Sequence, residues 1–180
     1  MSSTPIILAS ASHRRLDLLK QLGLSVATLN TDIDESKLRA ESPQAYAVRM
    51  AKEKMNVAEG LCDDSPAILI TADTIVVCDN RVIHKPRVKE SGLDALLCLS
   101  NREHSVFSAV MVSDGRKSEQ VLVESKVTFR EISIREASAY WRSGEPIGKA
   151  GGYAIQGKGA VFITNICSHI RVLAASSKEI

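Results

Sequence analysis

Long apolar runs, paired cysteines and chain-breaking residues are all scarce in this sequence. Apolar stretches such as 66–70 and 75–78 are far shorter than the roughly 20 residues of a membrane-spanning helix, so we expect a cytoplasmic protein with no membrane association. The four cysteines contain no Cys-x-x-Cys pair, which argues against a zinc site or a disulfide framework. Five prolines and ten glycines are too few for a disordered or fibrous chain, so the sequence should fold.

An excess of one charge is also nearly absent. The formal net charge is +2, and the basic residues form separated pairs instead of a patch or stripe. Aromatic residues make up 4% of the chain and are scattered, so they provide no platform for stacking bases. An RNA- or DNA-binding factor is therefore the weakest functional hypothesis. Separated basic pairs favour a small anion that is held from several sides.

Helical and strand patterns alternate along the chain. Strands are predicted at 6–9, 25–30, 67–71, 75–78, 81–83, 105–112, 120–129 and 161–166, with a turn at Asp79-Asn80. Helices are predicted from an N-cap at Ser12 to about Leu22, from Ser42 to about Ala58, and at 90–99 and 134–141. This order predicts a single α/β domain over residues 1–180, with helices flanking a mixed sheet.

Four short segments stand out together, at 10–15, 71–74, 84–86 and 149–157. At these residues the sequence resembles the Maf family of nucleoside triphosphate pyrophosphatases, and the resemblance runs in order from 6 to 162. It implies a Maf/ITPase-like fold, with an elongated mixed sheet flanked by helices and a central substrate cleft between two lobes. The implied reaction is hydrolysis between the α- and β-phosphates of a nucleoside triphosphate, with Mg²⁺ or Mn²⁺ as the divalent metal.

Basic and hydroxyl side chains suited to phosphate occur in these segments. Arg14 and Arg15 lie in the first turn of a predicted helix, where free N–H groups and the helix dipole favour an anion. Guanidinium groups match phosphate oxygens, and Ser10 adds a hydroxyl donor. Lys54 and Lys85 are expected to add point charges from other elements. The alternative for the arginine pair is two solvated surface residues.

Carboxylates complete the chemistry that cleavage of a triphosphate requires. Asp73 is placed at the end of an apolar strand and is the candidate general base, a role that the resemblance also implies. Its alternative role is that of a turn or cap aspartate. Glu35 is the candidate second carboxylate, binding the metal through oxygen together with Asp73. Asp32 or Asp34 could take the place of Glu35.

The amide of Gln156 suits a particular pair of bases. Uracil and thymine present an acceptor at O4 beside a donor at N3, and one amide can satisfy both. The sequence therefore predicts dTTP and UTP as substrates. The resemblance adds Arg14 and Thr74 to Gln156 as specificity positions of the dTTP/UTP branch, with a 7-methyl-GTP branch as the alternative. A loop amide that bonds to backbone groups is the structural alternative for Gln156.

Besides His13 and His84, two features depart from the family pattern. Asn101 stands where glycine is usual, and asparagine tolerates the left-handed conformation. The atypical segment 166–180 replaces the family's terminal helix, so it should expose apolar surface and either lower stability or weaken the contacts of a homodimer. This segment motivates a second hypothesis, a catalytically impaired nucleotide-binding regulator linked to cell division and septum formation. The first hypothesis remains an active pyrophosphatase that removes non-standard nucleotides or trims nucleotide pools.

Overall fold

The computed structural model describes residues 4–62 and 66–177, with the backbone alone from residue 171 onward. Within these ranges the predicted α/β class is confirmed. Four α-helices are present, α1 (His13–Gln21), α2 (Pro43–Leu61), α3 (Lys89–Leu99) and α4 (Ile134–Arg142). The strands are β1 (Ile6–Ala9), β2 (Val26–Leu29), β3 (Ile68–Cys78), β4 (Arg81–Ile83), β5 (Glu103–Ser113), β6 (Lys117–Phe129) and β7 (Ile163–Ser177). None of the helices in this part of the chain has the length and apolar character needed to cross a membrane.

The strands of these ranges form one mixed sheet. Its order is β2-β1-β3-β5-β6-β7, and β4 pairs with β3 off this path. Strand β1 is parallel to both β2 and β3, with Ala9 opposite Thr71 in the second pair. Strands β3 and β4 are antiparallel, and Asp79 and Asn80 between them have φ values of 47° and 59°. Positive φ at both residues is what a two-residue hairpin turn requires, so the predicted turn is confirmed.

The chain divides into two compact units. One contains the described residues up to Asp73, the segment Ser108–Leu122 and the end of β7 from Arg171. The other contains Thr74–Phe107 and Val123–Ile170. The assignment of residues 1–180 to one domain, and the cleft between two lobes, stay predictions.

Helix α2 buries its apolar side in the first unit. It begins after Ser42, whose Oγ accepts a hydrogen bond of 3.1 Å from the Ala45 N–H. Its apolar side is buried, as helical spacing predicts, through Tyr46, Ala47, Met50, Ala51, Met55 and Ala58. Thr71 Oγ1 of β3 donates to the Ala51 carbonyl at 2.8 Å. Because side chains alternate along a strand, Asp73 lies on the same face of β3 as Thr71, which is the face toward α2.

The second unit is built around an aromatic and aliphatic core. Its buried members are Val76, Cys78, Leu96, Leu99, Val127, Phe129, Ile132, Ala137, Tyr140, Tyr153 and Phe162. Helices α3 and α4 approach so closely at Gly92 that a Cβ atom there would lie 2.3 Å from the Trp141 ring. Helix α4 starts with a capping box in which Ser133 and Glu136 satisfy each other's backbone N–H groups. The core therefore fixes α4 against α3.

Two strands differ from the sequence prediction. Strand β3 runs unbroken from Ile68 to Cys78, so the placement of Asp73 and Thr74 at a strand end was wrong. The sequence prediction ended one strand at Thr71 and began the next at Ile75. A carboxylate is costly to bury unpaired, and Asp73 is accommodated within one continuous strand because Lys54 provides its partner. The last strand starts at Ile163, after a 3₁₀ helix at Lys158–Phe162, and continues past 166 to Ser177.

Candidate active site

Two of the predicted acids contact the same ammonium group in the first unit. Lys54 Nζ lies 2.6 Å from Asp73 Oδ1 and 3.4 Å from Glu35 Oε1. The side chains of Lys54 and Asp73 are only 12% and 8% exposed, whereas that of Glu35 is 44% exposed. Solvent and salt therefore screen the Lys54–Asp73 pair weakly. Removing one partner would leave the other as a largely buried charge without this ion pair.

The backbone around Glu35 is fixed by side chains of α2, although residues 30–41 form no regular element. Tyr46 Oη donates a hydrogen bond of 2.6 Å to the carbonyl of Glu35. Arg49 binds Glu41 through two hydrogen bonds of 2.7 and 2.9 Å and donates to the Ser36 carbonyl at 2.8 Å. These bonds position the Glu35 side chain at the ion pair.

The other two acids of this loop have different surroundings. Asp34 Oδ1 accepts the Ser36 N–H at 2.9 Å, and hydrogen bonding from Ser36 lowers the pKa of Asp34. Asp32 is exposed. Of these three loop acids, Glu35 is therefore the one that the described structure places against Lys54.

The donor set at Lys54 fits a hard divalent cation. Mg²⁺ and Mn²⁺ prefer oxygen ligands, and Mg²⁺ is commonly held by one or two carboxylates while phosphate oxygens and water complete the coordination. Asp73 and Glu35 supply two such carboxylates beside one cationic group. Among residues 4–62 and 66–177, no cluster of three or more His, Cys, Asp or Glu side chains could hold a metal ion by itself. The pair therefore suits a metal shared with a phosphate ligand.

Arg15 is built into the first unit beside Asp73. Its Nη1 donates to Ser10 Oγ at 3.0 Å and to the Ala72 carbonyl at 2.8 Å. Burial lowers the pKa of Arg15, whereas the charge of Asp73 opposes that shift. Because a guanidinium group stays protonated in proteins, Arg15 provides a partly buried positive charge next to the carboxylate.

The turn before α1 has the predicted position but not all of the predicted contacts. Ser12 is the N-cap residue, yet its side chain makes no capping hydrogen bond. Its N–H instead donates to Ser10 Oγ at 3.2 Å. That oxygen accepts from Arg15 as well, so the Ser10 hydroxyl hydrogen can be donated to a ligand oxygen. Arg14 lies in the first turn of α1 and is exposed.

The remaining predicted site residues belong to the second unit. Lys85 and Gln156 are exposed, and Thr74 is partly buried. Thr74 shares its face of β3 with Val76 because side chains alternate along the strand. A Cβ atom at Gly151, where φ is 67°, would lie 2.7 Å from Val76 Cγ2, so only glycine fits that contact.

Glu145, which the sequence reasoning missed, accepts three hydrogen bonds in the second unit. They come from Tyr140 Oη at 2.6 Å, the Lys158 N–H at 2.9 Å and the Gly159 N–H at 3.0 Å. Burial alone would raise the pKa of Glu145, but these hydrogen bonds outweigh it and lower the pKa. Glu145 is therefore an ionised acceptor at neutral pH, and it holds backbone close to Gln156.

A sequence model of one protein family, described as Maf-like protein, matches residues 5–171. The chain belongs to the Maf-like protein family. The resemblance inferred from the sequence is confirmed, and the match extends beyond its predicted end at Phe162.

Several relatives of this Maf-like chain have the name dTTP/UTP pyrophosphatase. The protein of Saccharophagus degradans is 46% identical over 167 residues, which cover 92% of this chain and 80% of the relative. That of Pseudoalteromonas atlantica is 40% identical over 163 residues, covering 89% of this chain and 85% of the relative. That of Acinetobacter baylyi is 42% identical over 159 residues, covering 88% and 86%.

His104 is a buried polar residue of the Maf-like core. It is 3% exposed, and its Nε2 lies 2.8 Å from Tyr153 Oη. Its ring meets the Phe129 ring edge-on, with the centroids 4.8 Å apart. Burial lowers the pKa of His104 to about 4, so the ring is neutral in the folded protein near neutral pH.

The folded protein should lose stability in mild acid because of His104. The His104 ring binds a proton near pH 6.5 in the unfolded chain, whereas it does so only near pH 4 in the folded protein. The contribution of neutral His104 to the free energy of unfolding is fully present above pH 6.5 and is lost as the pH falls toward 4. The free energy of unfolding should therefore fall by about 2 kcal/mol between pH 7 and 5. Urea unfolding of the wild type and of His104→Phe across this range would measure it. Equal pH dependence in both proteins would contradict the assignment.

Proposed function

We propose that this Maf-like protein is a pyrophosphatase that hydrolyses dTTP and UTP to the monophosphate and pyrophosphate, with Mg²⁺ or Mn²⁺. The relatives with this name match over most of their length, and six of them are 38–46% identical to this chain. The single observation on which the proposal depends is the buried Lys54–Asp73 pair, with Glu35 on the same ammonium.

Asp73 is assigned as the residue that accepts the proton of the attacking water. Its Oδ1 accepts a hydrogen bond of 2.6 Å from Lys54, which orients the carboxylate for this task. Lys54 has three N–H donors, and its contacts with Asp73 and Glu35 leave a third for a phosphate oxygen. One residue can therefore fix the base and stabilise the charge that develops on the substrate.

A divalent cation would be held by Asp73 and Glu35, where it would draw negative charge from the phosphate oxygens. The chain's own residues bind and orient the remaining oxygens. We assign Arg14, Arg15 and Ser10 of the first unit to this role, and Lys85 of the second. The bonds from Arg15 to Ser10 and to the residue before Asp73 support a preorganised phosphate site next to the base.

Recognition of the base is assigned to Gln156, with Thr74 and Arg14 as further specificity positions. The exposure of Gln156 leaves its amide available to pair with N3–H and O4 of uracil or thymine. A cytoplasmic location and a homodimer are further parts of this proposal, to be tested by cell fractionation and by light scattering.

A pyrophosphate-release screen tests the proposal. With Mg²⁺ or Mn²⁺, dTTP and UTP should be hydrolysed at least about tenfold faster than ATP, GTP or CTP, because one wrong hydrogen-bonding edge costs that much or more. Excess EDTA should remove the activity. Turnover of 7-methyl-GTP without dTTP or UTP would assign the protein to the other branch. Triphosphate binding without any release would favour the impaired regulator.

A further inference from the structure

We propose that Tyr140 and Glu145 are positioning residues for base recognition, because together they fix both ends of the turn that presents Gln156. This inference rests on the proposed function, which assigns Gln156 to the base. Neither side chain is expected to touch the substrate. Their role would be to fix the backbone position from which the Gln156 amide reaches it.

The first end of the turn is held by Tyr140, at the last turn of α4. The Ala154 N–H donates to Tyr140 Oη at 3.2 Å, and Tyr140 Oη donates to Glu145 Oε1 at 2.6 Å. Tyr140 is 6% exposed, and its ring lies edge-on to that of Phe162 with the centroids 5.2 Å apart. The backbone that precedes Gln156 is therefore attached to the core of the second unit.

The second end is held by the Glu145 carboxylate. Its Oε2 accepts from the Lys158 N–H at 2.9 Å, and its Oε1 accepts from the Gly159 N–H at 3.0 Å. Within the turn, the Gly157 N–H donates to the Ala154 carbonyl at 3.2 Å. The exposed Gln156 thus lies between two backbone segments that are bonded to one connected pair of side chains.

Two glycines permit this close attachment. A Cβ atom at Gly157 would lie 2.5 Å from Glu145 Oε2, and one at Gly159 would lie 2.8 Å from Tyr140 Oη. Both distances are shorter than any van der Waals contact, so a side chain at either position would displace the pair from the turn. The sequence around Gln156 therefore suits contact between backbone and the Tyr140–Glu145 pair, which reduces the freedom that base binding would otherwise remove.

The test compares Tyr140→Phe and Glu145→Gln with the wild type in steady-state kinetics on UTP. Tyr140→Phe keeps the ring in the core, so it remains a test if Glu145→Gln folds poorly. Each variant should raise KM about tenfold, the size of one lost charge-assisted hydrogen bond, with kcat changed by less than about threefold. Glu136→Gln is the matched control, since it alters a carboxylate of α4 and should leave KM unchanged.

A double-mutant cycle with Gln156→Ala separates positioning from general stability. If the pair acts through Gln156, either variant should add less than about twofold to the KM of Gln156→Ala. An unchanged KM in both single variants, or full additivity with Gln156→Ala, would overturn the inference while the proposed function stands. No turnover of UTP or dTTP by the wild type would overturn the proposed function and this inference with it.

Discussion

Asp73→Asn is expected to lower kcat for dTTP and UTP by about 10³-fold or more, while the affinity for nucleotide changes less than about tenfold. The substitution keeps the shape of the side chain and an oxygen that can accept from Lys54, but it removes the basic group and one metal ligand. General-base catalysis alone accounts for about 10²–10⁴ in rate. Loss of a negative charge near the bound phosphates reduces their repulsion, which offsets the lost metal ligand, so the affinity changes little. Rapid-quench pyrophosphate release and equilibrium binding of dTTP would measure both quantities.

Asp32→Asn is the matched control for this experiment because Asp32 is an exposed acid of the same loop as Glu35. It should retain nearly all of the activity. An Asp73→Asn protein that is within about tenfold of wild-type kcat would exclude Asp73 as the base, because so small a loss is below the usual contribution of that role.

Lys54→Met should have the second large effect, because it should lower both the free energy of unfolding and kcat/KM. Methionine keeps the apolar stem but leaves the carboxylate of Asp73, 8% exposed, without its partner at 2.6 Å. Breaking a buried pair from one side costs about 3 kcal/mol in the free energy of unfolding. The kcat/KM should fall about 10²–10³-fold, because the base loses its orientation and the phosphates lose a cation. Urea unfolding and pyrophosphate release measure the two effects.

The double variant Lys54→Met with Asp73→Asn identifies the cause of the instability. It leaves no buried carboxylate at position 73 without its lysine partner, so it should be more stable than Lys54→Met alone while remaining inactive. Lys52→Met changes an exposed lysine of the same helix and should alter neither property appreciably. If the double variant were no more stable than Lys54→Met, the loss would reflect packing and not charge.

Local features of the fold could be predicted from the sequence because their causes are local. The hairpin at Asp79 and Asn80 depends on two adjacent residues that tolerate positive φ, and both adopt it. Asn101, predicted to accept the left-handed conformation, has a φ of 55°. The placement of Asp73 failed because it depends on Lys54, which is distant in sequence and belongs to a helix packed on the strand.

The sequence also predicted part of the candidate site, namely its residue types, but not every residue that shapes it. Residue types that bind phosphate or accept protons can be recognised one at a time, and several of them meet at Lys54. Glu145 was missed because a carboxylate that binds backbone N–H groups has no pattern of its own. The one available signal was the pair of glycines at 157 and 159, which indicates close backbone contact without naming the partner.

The ammonium group of Lys54 contacts the buried carboxylate of Asp73 and the half-exposed carboxylate of Glu35. The charged groups of the site are therefore paired with one another before any ligand binds. Lys54 and Arg15 bring two positive charges to the two carboxylates, so the charges of these four groups balance in the folded protein. An arriving nucleotide therefore meets groups that already hold each other in place. The rotational freedom of these side chains was lost when the chain folded, so capture of the ligand need not remove it again.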